Sequence, residues 1–219
     1  MQRALQRLRV LDPFEVRLIG VRRDVSRGAP PTTPGIEIVG ADQIHEALAA
    51  ADAVHVEALD RKGLLTPGSR ASFAIGVLAL WVPPHSKAAV SSLEDLASPE
   101  VHVIAVAKPA LAPYGQASID ALTYAGVLEK VKPKIVYAEN INMAKQYGMS
   151  GNADAVFTAY SLVLHEGGKV LQVDDRFHQP LVQELAIIAK SPHQDTARKF
   201  VDFLRGDSGR ETLRSFGYH

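Results

Sequence analysis

The sequence predicts an α/β fold, and three observations support this fold class. From residue 101 to the C-terminus, short β-branched runs alternate with amphipathic helical segments, which is typical of a parallel or mostly parallel sheet covered by helices. Two longer apolar segments, residues 74–82 and 185–189, are predicted to be strands. The chain has 219 residues, and its hydrophobic fraction of 47% can fill the core of one large domain or of two small lobes.

The beginning of the chain has the least regular pattern. Residues 15–21 and 36–39 are predicted to form strands, with a Pro- and Thr-rich loop at 28–35 between them and a helix at 42–51 after them. The N-terminal arginines are followed by residues 10–17, where Asp, Pro, Glu and Arg interrupt the apolar pattern. A signal peptide is therefore not predicted. Either the export signal is missing from this chain or the protein stays in the cytoplasm.

The two long apolar segments leave two organisations open. If both segments cross between lobes, residues from about 85 to 182 form a lobe that is inserted between two halves of the other lobe. If they do not cross, both are ordinary central strands of a single sheet. Periodicity alone does not decide between these organisations.

The alternating part of the chain opens with a short helix and a strand. Residues 91–94, Ser-Ser-Leu-Glu, form a capping-box signature that predicts a brief helix through Leu96. The β-branched run at 101–106 predicts the next strand, and a longer helix is predicted to begin after Pro113. The residues of that helix predicted to face the core are Ile119, Leu122 and Tyr124, with Gly126 near its end.

Two further strand-to-helix units follow. Residues 134–137 are predicted to form a strand, and Asn140 or Asn142 is predicted to cap a helix that runs to about Gly148. Residues 155–159 are predicted to form another strand. Because each strand delivers the chain to a helix start or a loop, the strand ends form the edge where open α/β sheets bind ligands.

The C-terminal residues show the clearest helical periodicity. The apolar residues spaced at i, i+3, i+4 and i+7 are Ala197, Phe200, Val201 and Leu204. Residues 208–211, Ser-Gly-Arg-Glu, are a second capping-box signature. They predict a last helix that ends at Gly217.

The composition excludes several classes of function. Lys plus Arg and Asp plus Glu both number 24, so the net charge is zero and no long-range field attracts nucleic acid or a membrane surface. The absence of cysteine excludes disulfides, thiolate metal sites and cysteine nucleophiles. The eight histidines lack ligand spacing, and the sequence has no nucleophile elbow, phosphate-binding glycine loop or His-Glu zinc pattern. No catalytic residue, metal site or cofactor is predicted.

A series of short motifs, each weak alone, occurs in a fixed order over about residues 50–219. The main ones are Ala-Leu-Asp-Arg-Lys-Gly-Leu at 58–64, Ser-Leu-Glu-Asp-Leu at 92–96, Ala-Lys-Pro-Ala-Leu-Ala-Pro-Tyr-Gly at 107–115, Glu-Asn-Ile at 139–141, Gly-Asn-Ala-Asp-Ala at 151–155 and Phe-Val-Asp-Phe-Leu at 200–204. In order and spacing they resemble the periplasmic molybdate-binding proteins of ABC transporters.

The resemblance implies a two-lobed periplasmic-binding-protein fold of type II, with the lobes joined by two crossing strands. Lobe 1 would comprise residues 1–82 and 183–219, and the inserted lobe 2 residues 83–182. Such a protein is a non-enzymatic receptor that binds molybdate or tungstate between its lobes and delivers it to the membrane permease of an ABC transporter. The resemblance also implies a periplasmic monomer that binds no nucleic acid, cofactor or metal cation.

The resemblance further implies a binding site made largely of backbone donors. Tyr114, after Pro113, is similar to the residue whose N–H binds the anion at a helix start, and Ile141 is similar to a second backbone donor. Ala159 falls where some members have an anion-binding tyrosine. The implied ligand-binding residues are Tyr114, Gly115, Ile141, Asn142, Ala159 and Tyr160. Free N–H groups in a first helical turn can replace the water around a dianion without a contacting Lys or Arg.

The resemblance is weakest before residue 50. Family members carry a hydroxyl-bearing turn after the first strand and a serine-rich turn after the next one. Here residues 19–23 have no hydroxyl, and the second turn is at best 40–42, where Asp42 would repel a dianion. The alternative is therefore a family member with a truncated or rewritten first lobe. Such a protein would keep the fold, lose anion binding and act as a scaffold or interaction module.

Overall fold

The computed structural model describes residues 46–219. The chain forms two compact units. The described residues up to Phe73 form the first unit together with Gln183–Ser208, and the second unit consists of Ala74–Val182 and Gly209–His219. The strands predicted at 15–21 and 36–39 and the loop at 28–35 lie outside the described residues, and the lobe boundaries predicted at 82/83 and 182/183 stay a prediction.

Strands and helices alternate through the described residues. The strands are β1 (Leu48–Asp52), β2 (Ala71–Gly76), β3 (Leu78–Val82), β4 (Ile104–Ala107), β5 (Ile135–Ala138), β6 (Ala155–Ala159), β7 (Lys169–Gln172) and β8 (Leu181–Ile187). The α-helices are α1 (Ala53–Arg61), α2 (Pro113–Tyr124), α3 (Leu128–Val131), α4 (Ile141–Met149), α5 (Tyr160–Val163), α6 (Gln194–Arg205) and α7 (Asp207–Ser215). Short 3₁₀ helices occupy Glu94–Ala97, Lys132–Lys134 and Asp175–Phe177.

A three-stranded sheet with the order β1-β8-β2 contains the first of these strands. β1 runs antiparallel to β8, from Leu48 opposite Ile187 to Asp52 opposite Gln183. The helix predicted over residues 42–51 is therefore wrong from Leu48 onward. Its alanines favour a helix locally, but pairing with β8 overrides that preference.

The apolar segment at 74–82 forms two strands instead of the single predicted one. β2 belongs to the three-stranded sheet and β3 to a five-stranded sheet, so the backbone changes partners at Val77. The chain leaves the first unit within β2 and returns to it within β8. The strand predicted at 185–189 begins earlier, at Leu181, and ends at Ile187.

The five-stranded sheet of the second unit has the order β5-β4-β6-β3-β7. β4 runs parallel to both β5 and β6, whereas β3 runs antiparallel to β6 and β7. All residues of β3, β4 and β6 are buried, which agrees with sequences that are apolar except for Thr158 in β6. The strand predicted at 155–159 is confirmed with the same bounds. The strand predicted at 101–106 begins only at Ile104.

The three helices predicted between residues 91 and 148 are present with two differences in detail, and α3 and α5 are additional helices that were not predicted. Tyr124, predicted to face the core, is 64% exposed and stacks on Phe177 with 4.3 Å between the ring centroids. In the short helix near residue 94, it is Asp95 that accepts hydrogen bonds from the backbone of Ser91 and Ser92, at 2.8 and 3.0 Å. These backbone bonds lower the pKa of the Asp95 carboxyl.

The C-terminal helices agree with the prediction in their apolar faces. Ala197, Val201 and Leu204 of α6 are buried. α7 begins at Asp207, one residue before the predicted capping box, and Gly217 follows it with a left-handed φ of 83°. No helix within residues 46–219 is long and apolar enough to cross a membrane.

Candidate functional site

The carboxyl ends of three parallel strands meet at one edge of the five-stranded sheet. β5 and β4 are in register, with Ala107 opposite Ala138 at their ends, and β6 lies on the other side of β4. The N–H of Lys108 donates to the Ala138 carbonyl at 2.8 Å. This hydrogen bond joins the first residue after β4 to the last residue of β5. α2, α4 and α5 begin after β4, β5 and β6. The predicted ligand-binding residues therefore all lie at this edge or just beyond it.

The start of α2 packs closely against the end of β4. Ala112 is extended at the N-cap position, and Pro113 occupies the first helical turn, where its missing N–H costs nothing. The N–H of Gly115 donates to the Ala112 carbonyl at 2.9 Å. A Cβ on Gly115 would overlap the carbonyl oxygen of Ala107 and lie 2.8 Å from its carbon. Only glycine lets the helix begin this close to the strand.

Tyr114 points its ring into the core of the second unit. The residue is 3% exposed. A Cβ on Gly76 would overlap the Tyr114 hydroxyl oxygen and lie 3.0 Å from Cζ, so the ring fills the space beside Gly76. Any contact of Tyr114 with a ligand at the sheet edge would therefore involve its backbone.

The start of α4 presents backbone N–H groups that have no acceptor among the described residues. The Asn140 side chain caps the helix by accepting a hydrogen bond from the Met143 N–H at 2.8 Å, which confirms one of the two predicted caps. The N–H groups of Ile141 and Asn142 donate to no acceptor within the described part of the chain. Neither the first turn of α4 nor that of α2 contains a charged side chain. The helix dipole and these amides make the start of α4 attractive to an anion.

Thr158 supports this helix start, although it is not among the residues predicted from the sequence. It lies in β6, is fully buried, and donates its hydroxyl to the Ile141 carbonyl at 3.3 Å. The signal was present, because Thr158 is the one polar residue in an otherwise apolar strand. A buried hydroxyl requires a hydrogen-bond partner.

Ala159 and Tyr160 differ from the other predicted residues. Ala159 is buried and pairs with Leu78 of β3. The N–H of Tyr160 donates to the Val77 carbonyl at 2.9 Å, and its ring packs against Gly217, where a Cβ would lie 2.5 Å from Tyr160 Cδ1. The Tyr160 amide is thus already used within the protein.

The residues around these helix starts offer little for metal chemistry. Within residues 46–219, no group of three or more His, Cys, Asp or Glu side chains could hold a metal ion. The charged side chains nearest in sequence to the helix starts, Lys108 and Glu139, are exposed. The arrangement is suited to binding an anion through neutral amides.

The chain is similar in sequence to known proteins. The sequence profile described as "Bacterial extracellular solute-binding protein" matches residues 36–219. Molybdate-binding protein ModA of Rhodobacter capsulatus is 31% identical, with 79% of this chain and 68% of that protein covered. ModA of Azotobacter vinelandii is also 31% identical, with 79% and 70% covered.

One solved structure is similar to this chain over most of the length of both proteins. The Azotobacter vinelandii periplasmic molybdate-binding protein matches with a TM-score of 0.70 and 29% identity, and the match covers 81% of each chain. This match confirms the predicted α/β periplasmic-binding-protein fold.

Proposed function

The chain belongs to the family of bacterial extracellular solute-binding proteins, and from this premise we propose that it binds molybdate or tungstate and delivers the anion to an ABC transporter. The membrane permease of that transporter is the proposed partner, and the chain acts as a monomer outside the cytoplasm. The similarity to the two ModA proteins supports the choice of ligand.

The observation that carries the proposal is the pair of amides at Ile141 and Asn142, which have no acceptor within residues 46–219. A tetrahedral dianion loses a large hydration energy on binding, and converging N–H donors must replace that energy. Met143 is committed to the Asn140 cap, so the two amides before it are the ones left for a ligand. The backbone of Tyr114 completes the proposed site from the start of α2, and Gly115, Ala159 and Tyr160 border it.

Neutral donors also suit the delivery of the ligand. A buried Lys or Arg in contact with the anion would hold it by a strong, charge-assisted interaction. The first turns of α2 and α4 have no such side chain. Hydrogen bonds from amides can be released when the protein reaches its transporter.

Isothermal titration of the chain with molybdate, tungstate and sulfate tests the function. We expect saturable binding of molybdate and tungstate with one anion per chain, and weaker binding of sulfate. Thermal melting should show the same order, because a ligand at 100 times its Kd stabilises the folded state by about 2.7 kcal/mol. If none of the three anions binds, the proposal that the chain is a receptor for molybdate or tungstate is overturned.

A further inference from the structure

A buried hydroxyl lies directly behind the proposed anion site. All five residues of β6 are buried, and Thr158 is the only one with a polar side chain. Removing a hydroxyl from water costs free energy unless it makes a hydrogen bond in the folded state. Within the described residues, the only acceptor for the Thr158 hydroxyl is the Ile141 carbonyl oxygen, at 3.3 Å.

This hydrogen bond acts on the same peptide group that presents a donor to the ligand. The Ile141 carbonyl and the Asn142 N–H belong to one planar, trans peptide, so the two groups point in opposite directions. The carbonyl faces Thr158 in β6, and the N–H faces away from it at the helix start. A hydrogen bond to the oxygen polarises the whole amide and makes its N–H a better donor.

We propose that Thr158 is a positioning residue of the anion site, which orients and polarises the Ile141–Asn142 peptide so that the Asn142 N–H binds the oxyanion more strongly. The inference rests on the proposed function. Thr158 reaches the helix from another element of the sheet, 17 residues away in sequence.

A second buried hydroxyl shows why the Thr158 interaction is distinctive. Ser118 donates to the Tyr114 carbonyl at 2.7 Å, but it does so from within α2, four residues further along the same helix. Helices commonly contain such bonds, and they satisfy the hydroxyl locally. Thr158 has no such local partner in its strand, and its bond links the core of the sheet to the start of α4.

The test compares three variants by titration with molybdate. Thr158→Val removes the hydroxyl and nearly preserves the shape, and we expect it to weaken molybdate binding about threefold. Thr158→Ser restores a hydroxyl and should restore the affinity of the unmodified protein. Thr123→Val is the matched control, because Thr123 donates to the Ile119 carbonyl far from the start of α2. The affinity of the Thr123→Val variant for molybdate should be unchanged.

A spectroscopic measurement separates positioning from a general structural effect. In the anion-free protein, the amide proton resonance of Asn142 should move upfield in Thr158→Val and return in Thr158→Ser, because a less polarised amide is less deshielded. If valine prevents folding, Thr158→Ala takes its place in both measurements.

The outcomes distinguish this inference from the proposed function. If Thr158→Val binds molybdate as tightly as the unmodified protein, or if the Asn142 resonance does not move, the positioning role is wrong and the proposed function stands. If the unmodified protein binds no molybdate or tungstate, both proposals are overturned.

Discussion

The hydroxyl oxygen of Tyr114 occupies the space that a side chain on Gly76 would need. A Cβ at residue 76 would overlap that oxygen and would also lie 3.0 Å from Cζ of the ring. Gly76 is the last residue of β2, and Tyr114 is the second residue of α2. The ring therefore connects the end of β2 to the helix start at which we propose that the anion binds.

Gly76→Ala should displace the Tyr114 ring and destabilise the second unit. We expect a loss of about 1–3 kcal/mol, because added methyl groups in a packed core force neighbours out of position. Thermal or urea unfolding measures the loss, and molybdate titration should show weaker binding in the same variant. Combining the change with Tyr114→Phe removes the overlapping oxygen, so the double variant should be more stable than the sum of the two changes predicts. Simple additivity would contradict the contact.

Gly115→Ala should move the start of α2 away from β4. The added Cβ would meet the backbone of Ala107, which cannot rotate aside as a side chain can. We expect lower stability and about tenfold weaker molybdate binding, measured by melting and titration. Gly126→Ala is the control, since Gly126 has a left-handed φ of 70° and no atom of the described residues lies within 4 Å of a Cβ placed there. It should lose about 1 kcal/mol of stability and keep its affinity. Equal effects of the two changes on affinity would argue against the site at α2.

Two substitutions of Asn140 distinguish the effect of helix capping on stability from the effect of charge on anion binding. Asn140→Ala removes the oxygen that accepts from the Met143 N–H and should cost about 1 kcal/mol of stability. Asn140→Asp keeps a capping oxygen but adds a negative charge at the start of α4. We expect this variant to be stable yet to bind molybdate about tenfold more weakly, because like charges repel at close range. Unchanged affinity in Asn140→Asp would show that the anion does not bind at this helix start.

The buried carboxyl of Asp52 should make the stability of the first unit depend on pH. Burial raises the pKa of the Asp52 carboxyl above its ordinary value of 3.8, although hydrogen bonding from Gln183 and the nearby His55 act in the opposite direction. The folded state therefore favours the neutral acid, and that contribution to stability is complete below pH 3.8 and lost as the pH rises through the folded-state pKa. Asp52→Asn does not titrate and retains an acceptor oxygen for Gln183. It should melt above the unmodified protein at pH 7, and the difference should shrink as the pH falls toward 3.8. A difference that grows on acidification would contradict this assignment.

Local sequence signals were sufficient where an element is defined by its own residues. The strand at 155–159 is apolar apart from Thr158 and lies between turn residues, and its predicted bounds match the structure. The helix that follows β5 was predicted with Asn140 as one of two caps, because an Asn before an apolar helix is a local signal. Both features depend on residues that are adjacent in the chain.

Features that depend on distant partners could not be predicted in this way. The sequence of β1 is rich in alanine and predicts a helix. The segment is nevertheless a strand, because it pairs with residues 183–187, which are distant in the chain. Tyr124 fits the apolar spacing of α2 but stacks on Phe177 at the surface. The role of Thr158 depends on the fold that brings β6 to the start of α4. In each case the deciding contact is tertiary.

The most direct test concerns the backbone N–H of Ile141. Ile141→Pro removes that donor at a position where proline fits, because Ile141 begins α4 and Asn140 before it is extended, with φ −150° and ψ 174°. Ile141→Ala loses the same buried side chain but keeps the N–H, so it is the matched control. By isothermal titration with molybdate, we predict that the proline variant binds about 10–100-fold more weakly than the alanine variant, with similar melting temperatures. Equal affinities of the two variants would contradict the claim that uncharged amides at the start of α4 bind the anion.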